Sequence, residues 1–338
     1  MTEIEIGRGK RGRAAYAFDD VAIVPSRRTR DPEEVSTHWQ IDAYRFEIPL
    51  MAAPMDSVMS PATAVLLGKL GGLGVLDLEG LWTRYDDPGP LLAEIADLDD
   101  ASATRRLQQL YEEPVREQLI ADRLREVRSA GVTVAGALSP QRVKRYHEAV
   151  LGAGVDLFVI RGTTVSAEHV SSRAEPLNLK QFIYELDVPV IVGGCATYQA
   201  ALHLMRTGAA GVLVGFGGGS THTTRSVLGV AVPMASAVAD VAAARREYLD
   251  ESGGRYVHVI ADGGVSRSVD IAKAIACGAD AVMVGSPLAR ATEAPAWAGT
   301  GARRPIIATF RVASGSRSGR SDRWSRSCWA RRTSRTAR

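Results

Sequence analysis

The chain has 338 residues, 46% of them hydrophobic, 23% charged and only 6% aromatic. This is globular composition with length enough for one large domain, and its three cysteines (Cys195, Cys277, Cys328) lie too far apart for a disulfide framework or a CxxC metal site. The formal charge of +3 belongs to the tail: residues 311–338 hold nine of the 41 Lys and Arg but one of the 38 acids, so the remainder carries −5 and offers no basic surface for nucleic acid.

The start, MTEIE, does not read as a secretory signal, and the longest apolar stretch, 227–244, is broken by Pro233 and Asp240 and is too weak for a membrane span. A reduced cytoplasmic setting without membrane or nucleic-acid partners is the expectation. Residues 1–48 read as an N-terminal extension lying over the main domain.

From residue 49 onward, short apolar runs alternate with helical stretches. The runs are 49–53, 72–76, 132–137, 156–160, 188–192, 210–214, 256–261 and 280–284. They are continuously apolar, as parallel strands buried on both faces must be. Helices are predicted at 62–70, 140–153, 198–207, 234–251 and 268–277, several of them stopped by Gly208, Gly253 or Gly278. Eight such units over about 250 residues predict an α/β fold, a (β/α)8 TIM barrel forming a single domain over 49–295. Residues 82–130 are charged and read as a solvated helical insert between strands two and three. Residues 296–338 are Arg/Ser-rich without apolar periodicity and are expected to be disordered. Their bias resembles an out-of-frame reading of GC-rich sequence, which resequencing would test.

In such a barrel the working residues lie at the C-terminal ends of the strands, and phosphate commonly sits after strands seven and eight. Strand seven ends IADGG at 260–264 and strand eight ends MVGS at 283–286. Gly263, Gly264, Gly285 and Ser286 offer backbone N–H groups and a hydroxyl to a phosphate. Asp262 can accept from a ribose diol, although with this loop read alone a cap on the next helix would be the preferred reading. Strand six runs into VGFGGGSTHTTR at 214–225, a third glycine-rich loop with Ser220, His222 and Thr224. A dinucleotide-binding GxGxxG is excluded there, because Ser220 replaces the third glycine and the next helix starts too late.

The ordered set FDDV (18–21), AAPMDSV (52–58), GGLG (71–74), VGFGGGS (214–220), TTR (223–225), IADGG (260–264), VGSPLA (284–289) and EAP (293–295) resembles the IMP dehydrogenase/GMP reductase family, specifically its related subgroup without CBS domains. The resemblance implies oxidation of IMP to XMP with NAD as cofactor, or the related reduction of GMP. A non-catalytic purine-nucleotide-binding protein is the alternative. It implies a purine nucleoside monophosphate as ligand: phosphate on Ser220, Gly263, Gly264, Gly285 and Ser286, ribose on Asp262, base near Met55. Thr224 would bond the reacting end of the purine, Gly215 and Gly217 would lie toward the cofactor, no metal is implied, and a homotetramer is.

The family's nucleophilic cysteine falls at His222, a poor substitute for a soft thiolate. A dinucleotide-site Asp falls at Arg161, an Asn at Cys195 and an Arg at Leu213. Cys195 could face the barrel mouth, but a small buried hydrophobe is the favoured reading.

Overall fold

The computed structural model describes residues 3–26, 30–167, 177–216 and 224–295. Eight parallel strands form the frame: β1 (Leu50–Ala52), β2 (Val75–Asp77), β3 (Ala135–Leu138), β4 (Leu157–Arg161), β5 (Val190–Cys195), β6 (Gly211–Val214), β7 (His258–Asp262) and β8 (Ala281–Val284). Each pairs with its neighbour in chain order, and β8 returns to β1 with Val282 opposite Leu50. Between β1 and β2 the ring is closed by a Met51–Leu73 bridge, with the Ala52 N–H donating to the Leu73 carbonyl at 2.8 Å. The sheet is a (β/α)8 barrel, and each of its eight strands overlaps one of the eight apolar runs of the sequence.

Strand parity divides the core in two. Met51, Val75, Ala135, Ala137, Leu157, Val159, Ile191, Leu213, Ile260, Ala281 and Met283 fill the lumen. Their neighbours of opposite parity, such as Phe158, Ile160, Val192, Val212 and Val259, pack against the helical shell.

That shell contains α1 (Pro61–Lys69), α4 (Glu117–Ser129), α5 (Pro140–Gly152), α6 (Leu179–Tyr184), α7 (Tyr198–Met205), α9 (Met234–Glu251) and α10 (Ser268–Ala276). Starts are fixed by side chains: Ser60 Oγ accepts from the Thr63 N–H at 3.1 Å with Pro61 as first helical residue, and Thr197 Oγ1 accepts from the Ala200 N–H at 3.3 Å. The stops at Gly208, Gly253 and Gly278 have φ of 97°, 70° and 112°, the left-handed region that ends helices.

The stretch expected to be one solvated insert is two structures. Helices α2 (Gly89–Ala96) and α3 (Asp100–Leu110) form a hairpin around their own core of Leu81, Leu92, Ile95, Ala103, Leu107 and Leu110. Helix α4 instead joins the barrel shell, because Ile120, Leu124 and Val127 lie on one face and bury against the main core. The short helices α6 and α8 (Thr224–Leu228) were not predicted at all.

The N-terminal segment reaches both ends of the barrel. Strands Trp39–Ile41 and Tyr44–Phe46 form an antiparallel ribbon whose Trp39, Ile41 and Phe46 join the lumen cluster. Trp39 stacks on Phe46 at 5.1 Å and its indole N–H donates to His258 Nδ1 at 3.3 Å. His258 opens β7, so this ribbon closes the N-terminal end. Near the opposite end, Lys273 Nζ donates to the Phe18 carbonyl at 2.7 Å and Arg267 pairs with Asp19 at 2.6 Å.

Candidate functional site at the barrel mouth

The C-terminal ends of β6, β7, β8 and β1 are consecutive around the barrel, and their loops touch. Gly215 leaves β6 with φ 130°, and a Cβ there would lie 2.3 Å from the Asp262 carbonyl, so only glycine lets these two backbones approach. Gly263 and Gly264 follow with φ of 106° and 73°. The Ala53 N–H donates to the Val284 carbonyl at 2.9 Å, and a Cβ on Gly285 would lie 3.6 Å from Met55 Sδ. The structure therefore brings Met55, Gly285 and Ser286 together on one side and Gly215, Asp262, Gly263 and Gly264 on the other, on adjacent strands. Thr224 opens α8 and is half-buried. Gly217, Ser220 and His222 lie outside the described residues.

Asp262 does not cap the following helix. The local turn is held by Asp270, whose carboxylate accepts from the Ser266 and Arg267 N–H groups at 2.9 Å each. The Asp262 side chain shares the inward parity of Ile260 and meets Arg161: Arg161 Nε donates to Asp262 Oδ2 at 3.1 Å. Arg161 ends β4 with the inward parity of Leu157 and Val159. The pair spans three strand steps, across the opening.

A third inward-facing ionisable group was not anticipated from the sequence. Asp77 ends β2 on the same parity as Val75, opposite Ala137 of the lumen. Its Oδ1 accepts from the Glu79 N–H at 2.9 Å. Burial, with the neighbouring Asp56 and Glu79 carboxylates adding to it, pushes its pKa up to about 8 against the nearby Arg161 charge. Asp77 is therefore predominantly protonated at neutral pH.

Asp56, next to Met55, is fully enclosed. Its Oδ1 accepts from the Leu81 N–H at 2.9 Å, and its Oδ2 accepts from the Tyr111 hydroxyl. Burial raises its pKa above the ordinary carboxylate range, opposed by those hydrogen bonds. The α2–α3 hairpin is thus tied to the loop that carries Met55.

The two described cysteines offer no replacement thiolate at the mouth. Cys195 shares the sequence parity of Ile191, which would point it inward. One extra residue in β5, between the pairings Leu213–Gly193 and Val214–Cys195, reverses its direction. It is 1% exposed among the shell residues, and burial pushes its thiol up to about 12. Of the two sequence readings of Cys195, the structure bears out the small buried hydrophobe and not the residue facing the mouth. Cys277 closes the far end of α10. Leu213 is a fully buried lumen residue. Among the described residues no group of three or more His, Cys, Asp or Glu is arranged to hold a metal. A groove of ≈ 600 Å³ lined by Lys180, Tyr184, Arg206 and Arg255 lies outside the barrel, near the strands' starts, and is not part of this mouth.

Comparison with known proteins agrees with this architecture. A profile of the IMP dehydrogenase / GMP reductase domain matches residues 15–304. The chain belongs to the IMP dehydrogenase/GMP reductase family. It is 54% identical over 297 residues to an uncharacterized oxidoreductase of Mycolicibacterium smegmatis, covering 86% of this chain and 79% of that protein. It is 29% identical over 374 residues to the inosine-5'-monophosphate dehydrogenase of Methanocaldococcus jannaschii, covering 83% and 73% respectively. The crystal structure of an IMP dehydrogenase/GMP reductase-like protein from Corynebacterium glutamicum superposes with a TM-score of 0.83 at 50% identity, covering 90% of this chain and 82% of that one. Among the described residues no helix is long and apolar enough to cross a membrane.

Proposed function

We propose that this barrel mouth binds a purine nucleoside monophosphate. The observation that carries the reading is the contact of four consecutive strand ends: Gly215 against Asp262, and Gly285 against Met55. Backbone N–H groups of Gly263, Gly264, Gly285 and Ser286, with Ser220, would take the phosphate. The Asp262 carboxylate, held by Arg161 on one oxygen, keeps lone pairs for a ribose diol. The base would lie against Met55, toward Thr224. Assembly as a homotetramer is part of this reading by family resemblance and is checked by sedimentation. Calorimetric titration with IMP, XMP and GMP tests the site: micromolar binding of at least one supports it, and absence of binding to all three sinks it.

The family and its inosine-5'-monophosphate dehydrogenase members favour a second reading, NAD-dependent oxidation of IMP to XMP. NAD would supply the hydride acceptor. The residues in place fit it poorly. Arg161, at the end of β4, has N–H donors and no acceptor, so it cannot receive a hydrogen bond from a sugar hydroxyl. Cys195 is buried and protonated, and position 222 is His. We therefore assign nucleotide binding as the function and give the oxidation no step through NAD. NADH absorbance with purified protein, IMP and NAD distinguishes the two: rapid NADH formation would restore the dehydrogenase reading.

A further inference from the structure

The mouth contains an arginine of which the nucleotide reading uses only one edge. Arg161 is inward-facing, its side chain 22% exposed, beside an Asp262 side chain that is 12% exposed. Only its Nε is hydrogen-bonded among the described residues, to Asp262 Oδ2. The two terminal nitrogens, with four N–H donors, have no hydrogen-bond partner there. Their edge of the guanidinium has the planar two-pronged geometry that matches a phosphate or carboxylate.

The surroundings set the local charge. Asp262 from β7 pairs with this arginine and Asp77 from β2 lies near it, while Asp56 and Glu79 from the flanking loops lie near Asp77. Tyr111 donates to Asp56, and burial holds Asp77 toward its neutral form. Asp262 thus neutralises one edge of Arg161 while Asp77 adds little negative charge across the lumen at neutral pH. Glu79 is occupied by the Ser139 N–H, which donates to it, and by Arg142 at 3.8 Å. A partly buried guanidinium with one edge paired and, among the described residues, one edge open has the donors an oxyanion requires.

We propose that Arg161 makes the centre of the mouth a recognition site for a second, anionic small molecule, a phosphate ester or carboxylate seated beside the ribose of the first ligand. Arg161 is then the specificity-determining residue: it admits an oxyanion where an acceptor side chain would admit a sugar diol. The inference rests on the nucleotide reading only for what occupies the neighbouring glycine cradle.

The test uses the full chain saturated with IMP, so that the cradle is filled, and titrates inorganic pyrophosphate and malonate by calorimetry. One oxyanion site is expected, and the arm that binds more tightly identifies phosphoryl or carboxylate as the preferred group. Arg161→Gln should weaken that site roughly tenfold or more, with IMP kept saturating so that a change in its own affinity through Asp262 does not enter the comparison. Arg161→Lys keeps the charge but loses the two-pronged geometry, and should fall between. Thermal melting of both variants confirms folding, and if Gln unfolds the chain, Lys carries the decision. If neither probe binds the wild-type chain, or Arg161→Gln binds it unchanged, the proposal is overturned. If IMP itself does not bind, the nucleotide reading fails. The same titrations on the free protein then decide Arg161 separately, by loss or retention of the oxyanion site in the Gln variant.

Discussion

The two ends of the barrel are made by the same strands and have opposite chemistry. At the N-terminal end Trp39, Ile41 and Phe46 drop into the lumen, each no more than 4% exposed, and the ribbon's side chains meet the strand starts through the Trp39 indole bond to His258 and the Tyr44 hydroxyl, which donates to Asp156. At the C-terminal end the inward residues of β2, β4 and β7 are Asp77, Arg161 and Asp262, and the connections are rich in left-handed glycines. Between them runs one continuous apolar filling, from Leu157 to Val159 on β4 and ending at Ile260 on β7. The plug contributes stability and touches no candidate ligand group. The mouth places unlike charges in a half-buried site and leaves part of their hydrogen-bonding capacity open. The candidate functional groups are thereby confined to the last inward residues of the strands and the loops beyond them.

This division is broken most severely by emptying the plug. Trp39→Ala should cost about 3–5 kcal/mol and Ile41→Ala about 2–5 kcal/mol, by lost burial and the cavity left behind. Chemical denaturation should show that loss while IMP affinity of the folded protein stays the same; a parallel fall in affinity would show that the two ends are coupled. At the mouth the pattern reverses. Asp262→Ala should weaken IMP binding about a hundredfold, because the ribose loses its charged acceptor, and leaves Arg161 unpaired. Calorimetry showing unchanged IMP affinity would remove Asp262 from the ribose.

Much of this contrast is legible in the sequence. All eight strands show as apolar runs, and the glycines at 263, 264 and 285 mark their loops because a β-strand cannot simply turn back over a barrel rim. Asp77 was readable too: it stands two residues beyond Val75 just as Asp262 stands two beyond Ile260, and parity alone places both inward. What was overlooked is that symmetry. The stripe Ile120, Leu124 and Val127 likewise declares α4 a core-facing helix, although the charges of 117–128 obscure it. Other features are not readable. The direction of Cys195 depends on one extra residue in β5, and the Arg161–Asp262 and Tyr111–Asp56 bonds join residues 101 and 55 positions apart. Such contacts exist only once the ring has closed.

A milder perturbation separates the charges of the mouth from its shape. The folded-state pKa of Asp77 is raised from 3.8 to about 8, so the fold favours its protonated form. Its contribution to stability is complete below about pH 4 and is lost progressively as pH rises to about 8, where the change ends. Asp77→Asn stays neutral throughout. Its melting temperature relative to wild type should therefore rise between those limits and level off above them. A difference independent of pH would mean that Asp77 is ionised in the folded chain.

The smallest effect is expected from the change that a motif reading would make first. His222→Cys puts a thiol at the family's nucleophile position. A thiol can add to a purine, but oxidation also needs a bound hydride acceptor, and the residue ending β4 is Arg161, a donor that already holds Asp262. Restoring the nucleophile leaves that half of the mouth as it was. NADH formation from IMP and NAD should accordingly remain at background in His222→Cys, with IMP affinity unchanged. Brisk NADH production from this single variant would show that Arg161 is compatible with the dinucleotide, and that the missing thiolate alone separates this chain from its dehydrogenase relatives.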